Sequence, residues 1–171
     1  MKPRPLTLLG CCLVLAGCGG GAAQSTTTST SPKSTVTSLD ATAQLEQAVR
    51  SAVDRNAELS NYVLWHNVVP SWATRSTDGP ALTELRGSAA ERKAQDLQLR
   101  GVSQRVAILS IALDPSYTSA TAKVRESGSV VPYRHGRRLG RPLPLNEVAQ
   151  VELHRADSSP QFVVWKVGPA R

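Results

Sequence analysis

The chain of 171 residues offers few side chains able to carry chemistry. His66, His135 and His154 stand 69 and 19 positions apart, with no His-x-x-x-His or comparable metal-ligand spacing. Cys11, Cys12 and Cys18 all lie in the first eighteen positions, so residues 19–171 hold no thiol nucleophile, no disulfide and no cysteine-bound zinc. No Gly-x-Ser-x-Gly elbow, phosphate-binding glycine loop or calcium-type carboxylate run occurs. The balance leans toward a non-catalytic protein without metal or cofactor. His66 is the strongest acid–base candidate, since its intrinsic pKa lies near neutrality. The alternative is a helix-face histidine bonded to backbone or water, because the sequence names no carboxylate partner for it.

Two groups of residues could bind rather than react. Tyr62, Trp65, His66 and Trp72 form an aromatic set that either lines an apolar pocket for a lipid or small molecule, or fills the gap between a helix and a sheet. Arg134, Arg137, Arg138 and Arg141 put four guanidinium groups in eight positions, between glycines. Such forks grip phosphate and carboxylate bidentately, which suits anionic lipid headgroups or phosphate-bearing wall polymers. The alternative is a solvated hairpin tip on a basic protein. His135 belongs to the same loop.

The sulfur of Cys18 has a different chemistry open to it. Lys2 and Arg4 precede an apolar run of eleven, Leu6 to Ala16. A bilayer span needs about 20 such residues, so the run is signal-sized. Leu15-Ala16-Gly17-Cys18 resembles the bacterial lipobox, in which cleavage leaves an acylated cysteine as first residue. The resemblance implies a signal peptide over 1–17, palmitate-type acylation of Cys18 and a cell-membrane anchor on the extracytoplasmic face. An ordinary secretory signal with an incidental cysteine is the alternative. Cleavage would remove Lys2 and Arg4 from the 20 basic residues, leaving 18 against 13 acids and a net charge of +5. Outside the cytoplasm, that charge would meet lipid, wall polymer or an envelope protein, and no nucleic acid.

Residues 18–38 carry the acylated cysteine and a spacer. Ser25 to Ser38 has eleven Ser or Thr in fourteen positions, too polar to offset its ordering entropy, so disorder is expected. The spacer is either plain or an O-glycosylated stalk.

Residues 39–171 then form one domain. Leu45, Ala48, Val49, Ala52 and Val53 follow a helical stripe, with Asp40 as candidate cap and Pro70 as the stop near Val69. Asp78-Gly79-Pro80 opens a second helical piece. Gly87 is expected to interrupt it, Ser88 to recap it and Arg100-Gly101 to end it, with Ala90, Ala94, Leu97 and Val102 inward. After Gly101 the period turns to two. Val106–Leu113, Tyr117–Glu126, a Val130–Tyr133 edge piece, Glu147–Arg155 and Phe162–Val167 read as strands, with turns at Asp114-Pro115 and Asp157–Pro160. Ala149, Val151 and Leu153 are expected to face in; Ala120, Ala122 and Val124 share one face of their strand, and Val163, Trp165 and Val167 one side of the last. Helices first and strands after them read as an α+β fold.

With the lipobox, the Thr/Ser-rich linker, Leu97–Gly101, the strand pair 106–113 and 119–126, and the closing Gln161–Val167 strand, this order resembles actinobacterial lipoproteins that carry a nuclear transport factor 2-like domain. The resemblance covers residues 40–168. It implies N-terminal helices packed on a curved antiparallel sheet, a cone with a cavity at its open end. In family enzymes an Asp–His or Asp–Tyr set works in that cavity, and no such set maps onto this chain.

Overall fold

The computed structural model describes residues 38–155 and 161–170. The signal run, Cys18, most of the spacer and the turn over 157–160 lie outside the described residues. Helix α1 spans Ser38–His66, a 3-10 turn Ser71–Arg75 and helix α2 Gly79–Ala94. Five strands follow: β1 Leu97–Leu113, β2 Ser119–Arg134, β3 Arg137–Arg138, β4 Leu143–Arg155 and β5 Phe162–Pro169. The sheet runs β1-β2-β4-β5, with β3 on the far end of β2; every pair is antiparallel and the sheet does not close. The architecture is α+β, with both helices packed against the sheet.

The expected stripe of α1 holds. Val49, Ala52 and Val53 are buried against Ala120, Ala122, Val124, Ala149, Val151 and Leu153 of the central strands. Four alanines in that set let helix and sheet approach closely. Full burial of each Val or Leu contributes about 1.5–3 kcal/mol. Farther along, Leu59 and Val63 leave the sheet and pack on Ala73, Leu82 and Ala89, joining α1 to the 3-10 turn and α2.

Several boundaries differ from expectation for identifiable reasons. Helix α1 stops at His66, before the Pro70 signal, because Asn67 adopts φ 53° and its N–H bonds the Val63 carbonyl at 2.9 Å. This is a left-handed helix cap. Asn67 is buried; its Nδ2 donates to the Leu97 carbonyl at 2.7 Å and its Oδ1 accepts from Arg92 Nε at 3.0 Å. Helix α2 runs unbroken through Gly87, which is exposed with open space around it. Ser88 therefore caps nothing. The buried side is Ala81, Leu82 and Ala89, not Ala90 or Ala94, which are exposed. Leu97 to Gly101 is strand rather than helix end, with Leu99 buried and Val102 exposed.

The segment 130–133 is not an edge piece. It continues β2, an inner strand, and Pro132 is tolerated because β2–β4 pairing ends at Val130–Leu143. In β5, Phe162 and Val164 are the buried residues. A bulge between Glu152 and Leu153 sets Val164 opposite Leu153 and Lys166 opposite Glu152. Trp165 is the extra residue. Val167 returns to the core side beyond the bulge, while Val163 and Trp165 are only half-buried. Trp165 stacks on His154, centroids 4.7 Å apart, and its ring closes on Gly79 at the start of α2.

Two features close the frame. A bulge between Val102 and Arg105 admits Ser103 at φ 49° opposite Gly128, whose own φ is 132°. A Cβ on Gly128 would sit 2.6 Å from Gln104 Cα. On the other side, Thr77 bridges Val164 in parallel; Asp78 N–H and Thr77 Oγ1 both donate to the Val164 carbonyl, and Val164 N–H returns to Ser76. That segment covers the middle of the β5 edge.

Candidate functional site

Among the described residues, one crevice lies between α1 and the sheet and encloses little space. It has about 280 Å³ of empty space including its open mouth. Its enclosed part holds about one water. Val53, Ala57, Val106, Val124 and Val167 line it, with Glu126 as its one carboxylate among the described residues. None of Tyr62, Trp65, His66 or Trp72 is there.

Those four stand at the surface, so they do not fill the gap between helix and sheet. Tyr62, Trp65 and Trp72 are 38%, 36% and 39% exposed. They leave the core because Leu59 and Val63 already fill the contact with the 3-10 turn and α2. Tyr62 packs on the His66 ring at 4.3 Å and meets Trp72 edge-on at 5.9 Å. Pro70 brings the chain round, so that Trp72 in the 3-10 turn returns to the helix end. Among the described residues no carboxylate is bonded to His66, so it lacks the partner that a general base needs.

The aromatic set is continuous with the arginine loop, which sequence spacing did not indicate. Trp65 meets Tyr133 edge-on at 5.5 Å, and the Arg100 guanidinium lies 5.9 Å over the Trp65 ring. Tyr133 is the last-but-one residue of β2, and it pairs with Arg138 across a short hairpin. The hairpin is ordered. His135 and Gly136 form its two-residue turn at φ 48° and 71°, the conformation that matches strand twist. Asp96 holds the turn, accepting the His135 N–H at 3.0 Å and contacting its Nδ1 through the same oxygen. Arg134, Arg137, Arg138 and Arg141 are all exposed, and none forms an ion pair among the described residues. Arg138 Nε only donates to the nearby Gly140 carbonyl at 3.1 Å. Leu139 and Leu143 stand exposed beside them.

The result is one end of the molecule faced with rings, aliphatic side chains and unneutralised guanidinium groups. Such a surface can bind an anionic partner by stacking and by bidentate hydrogen bonds. No group of His, Cys, Asp and Glu suited to a metal ion occurs among the described residues. No described helix is long and apolar enough to cross a membrane.

The fold is that of a helix pair on an open antiparallel sheet. Comparison with solved structures finds it similar to the crystal structure of the intermembrane space region of chloroplast protein ARC6, with a TM-score of 0.61 and 11% sequence identity over 71% of this chain and 93% of that one. At that identity the likeness concerns fold alone. No family model and no curated protein sequence matches the chain.

Proposed function

We propose that this chain is an envelope lipoprotein, acylated at Cys18 and held on the extracytoplasmic face of the cell membrane, whose nuclear transport factor 2-like domain is a non-catalytic recognition module. Leu15-Ala-Gly-Cys18 after a short apolar run supports the anchor. The order of helices then antiparallel strands supports the family reading. The observation that carries the module reading is the union of Trp65, Tyr133 and Arg100 with the arginine hairpin on a surface outside the core. A partner on that surface is an anionic component of the envelope: lipid headgroups, a wall polymer or an acidic protein. A lipid or other apolar ligand held inside the cone is the weaker reading, since the crevice encloses room for about one water.

The test has two arms. In cells given a clickable fatty acid, the wild-type chain is expected to take label and enter the detergent phase, and Cys18→Ser to lose both. Changing Arg134, Arg137, Arg138 and Arg141 to Ser is expected to leave labelling intact and to reduce cross-linking to envelope components at least fivefold. Equal cross-linking would overturn the module reading; an unlabelled wild type would overturn the anchor.

A further inference from the structure

The geometry points to a more specific occupant of that surface: we propose that the end of the domain formed by Tyr62, Trp65, Trp72 and the β2–β3 hairpin seats on an anionic lipid bilayer. This rests on the anchored reading above and adds a second, reversible contact to it.

Three observations select a bilayer over a peptide or polymer strand. The first is composition: Trp and Tyr rings beside exposed Val68, Leu139 and Leu143 suit a boundary that is apolar below and wet above. These residues come from a helix end, a 3-10 turn and a hairpin tip, so the apolar groups project from three separate elements.

The second is charge. Arg100 lies over Trp65, and the exposed Arg134, Arg137, Arg138 and Arg141 belong to the hairpin that follows Tyr133 and the loop after it, while Asp96 is already engaged by His135. Cations of this kind near a negative leaflet are attracted within a Debye length. Along α1 the sign reverses: Glu58 lies one turn before Tyr62 and Asp54 one turn before that, both exposed. These carboxylates are repelled by the same surface, which confines contact to the helix end.

The third is reach. Helix α1 has 29 residues and spans about 43 Å, so its aromatic end is that far from the end joined to the spacer. The twenty residue steps from Cys18 to Ser38 extend to at most about 70 Å, enough to run beside the helix while the acyl group and the aromatic end share one leaflet. Tethering makes the second contact intramolecular, so a weak patch is enough to orient the domain.

The three tryptophans allow a direct test on the full acylated chain. Trp65 and Trp72 belong to the surface, whereas Trp165 stacks on His154 at the other end of β4. The chain is reconstituted into phosphatidylcholine vesicles with or without 30% phosphatidylglycerol, each doped with a spin-labelled lipid. Flotation reports the anchor separately from tryptophan quenching. With phosphatidylglycerol, quenching is expected to be at least threefold greater than without it. It should persist in Trp165→Phe and vanish in the Trp65→Phe/Trp72→Phe double variant. The four arginine-to-Ser changes should lower it to the neutral-vesicle level. A chain that floats but is quenched no more in anionic than in neutral vesicles overturns the bilayer contact while leaving the anchor standing. Quenching that survives the double variant overturns it too. A chain that fails to float overturns the anchored reading itself, and the proposal with it.

Discussion

Two glycines show how differently one residue type can be constrained. Gly128 holds φ 132° with the Gln104 backbone pressed against the place of a Cβ. Gly87 sits exposed in α2 with nothing within 4 Å. Gly128→Ala is therefore expected to cost about 2 kcal/mol or more, since neither backbone can give way. Gly87→Ala should stabilise by about 0.5–1 kcal/mol through helix propensity and reduced unfolded-state entropy. Urea unfolding of the two variants against wild type checks the opposite signs. Asp114 gives a pH prediction. Its carboxylate accepts from the Ser116 hydroxyl and, at 3.0 Å, from the Ser116 N–H, which together hold its pKa below the ordinary carboxylate value. The folded state then binds its proton less readily than the unfolded one. Its small contribution to stability is complete above the ordinary value of 3.8 and is lost as pH falls through the lower folded value. Carboxyl NMR titration should place the Asp114 midpoint below 3.8, and Ser116→Ala should raise it.

At the scale of elements, the end of α1 depends on one side chain. Asn67 supplies the left-handed cap and two partly buried hydrogen bonds, one to the start of β1 and one from α2. Asn67→Ala loses all three contributions and is expected to cost about 2–4 kcal/mol; Asn67→Gly, which keeps the backbone conformation, should cost less. Thermal melts of the two variants order these effects. The cap also shows where sequence reading runs short. Pro70 is the stronger stop in the sequence; Asn67 is a residue type that also caps helices, but the side-chain bond to Leu97, thirty residues away, that holds it has no local signature. The same holds for Gly87, whose destabilisation of a helix interior is too small to break it. Leu97-Gln-Leu99-Arg100 was readable in principle, since its alternation is already that of a strand. What pattern alone delivered was the stripe of α1, the shared face of β2 and the inward face of β4, because a period of 3.6 or 2 is enough to define one side. In β5 the bulge breaks the alternation, so Val167 joins the core side with Phe162 and Val164 and does not share a side with Val163 and Trp165.

For the molecule as a whole, the candidate residues were legible singly and their union was not. Arg134 to Arg141 announced themselves by density of charge, and Tyr62 to Trp72 by ring content. That Tyr133 and Arg100 would join the two groups depends on β1 and β2 reaching past the end of α1. Because all four loop arginines are exposed and unpaired among the described residues, changing them together to Ser is expected to shift folding stability by less than about 1 kcal/mol. Denaturant unfolding checks this, and separates a lost contact from a lost fold. Phe162→Ala makes the opposite case. Its fully buried ring stands under β5, and removing it should cost about 3–5 kcal/mol and leave the arginine surface chemically unaltered.

The strap from Ser76 to Asp78 along β5 has a consequence for self-association. With the middle of that flank occupied by the chain's own Thr77, the longer open flank among the described residues is β1. Lateral joining of sheets is therefore expected to stop at a pair, since each copy brings a single uninterrupted flank to the contact.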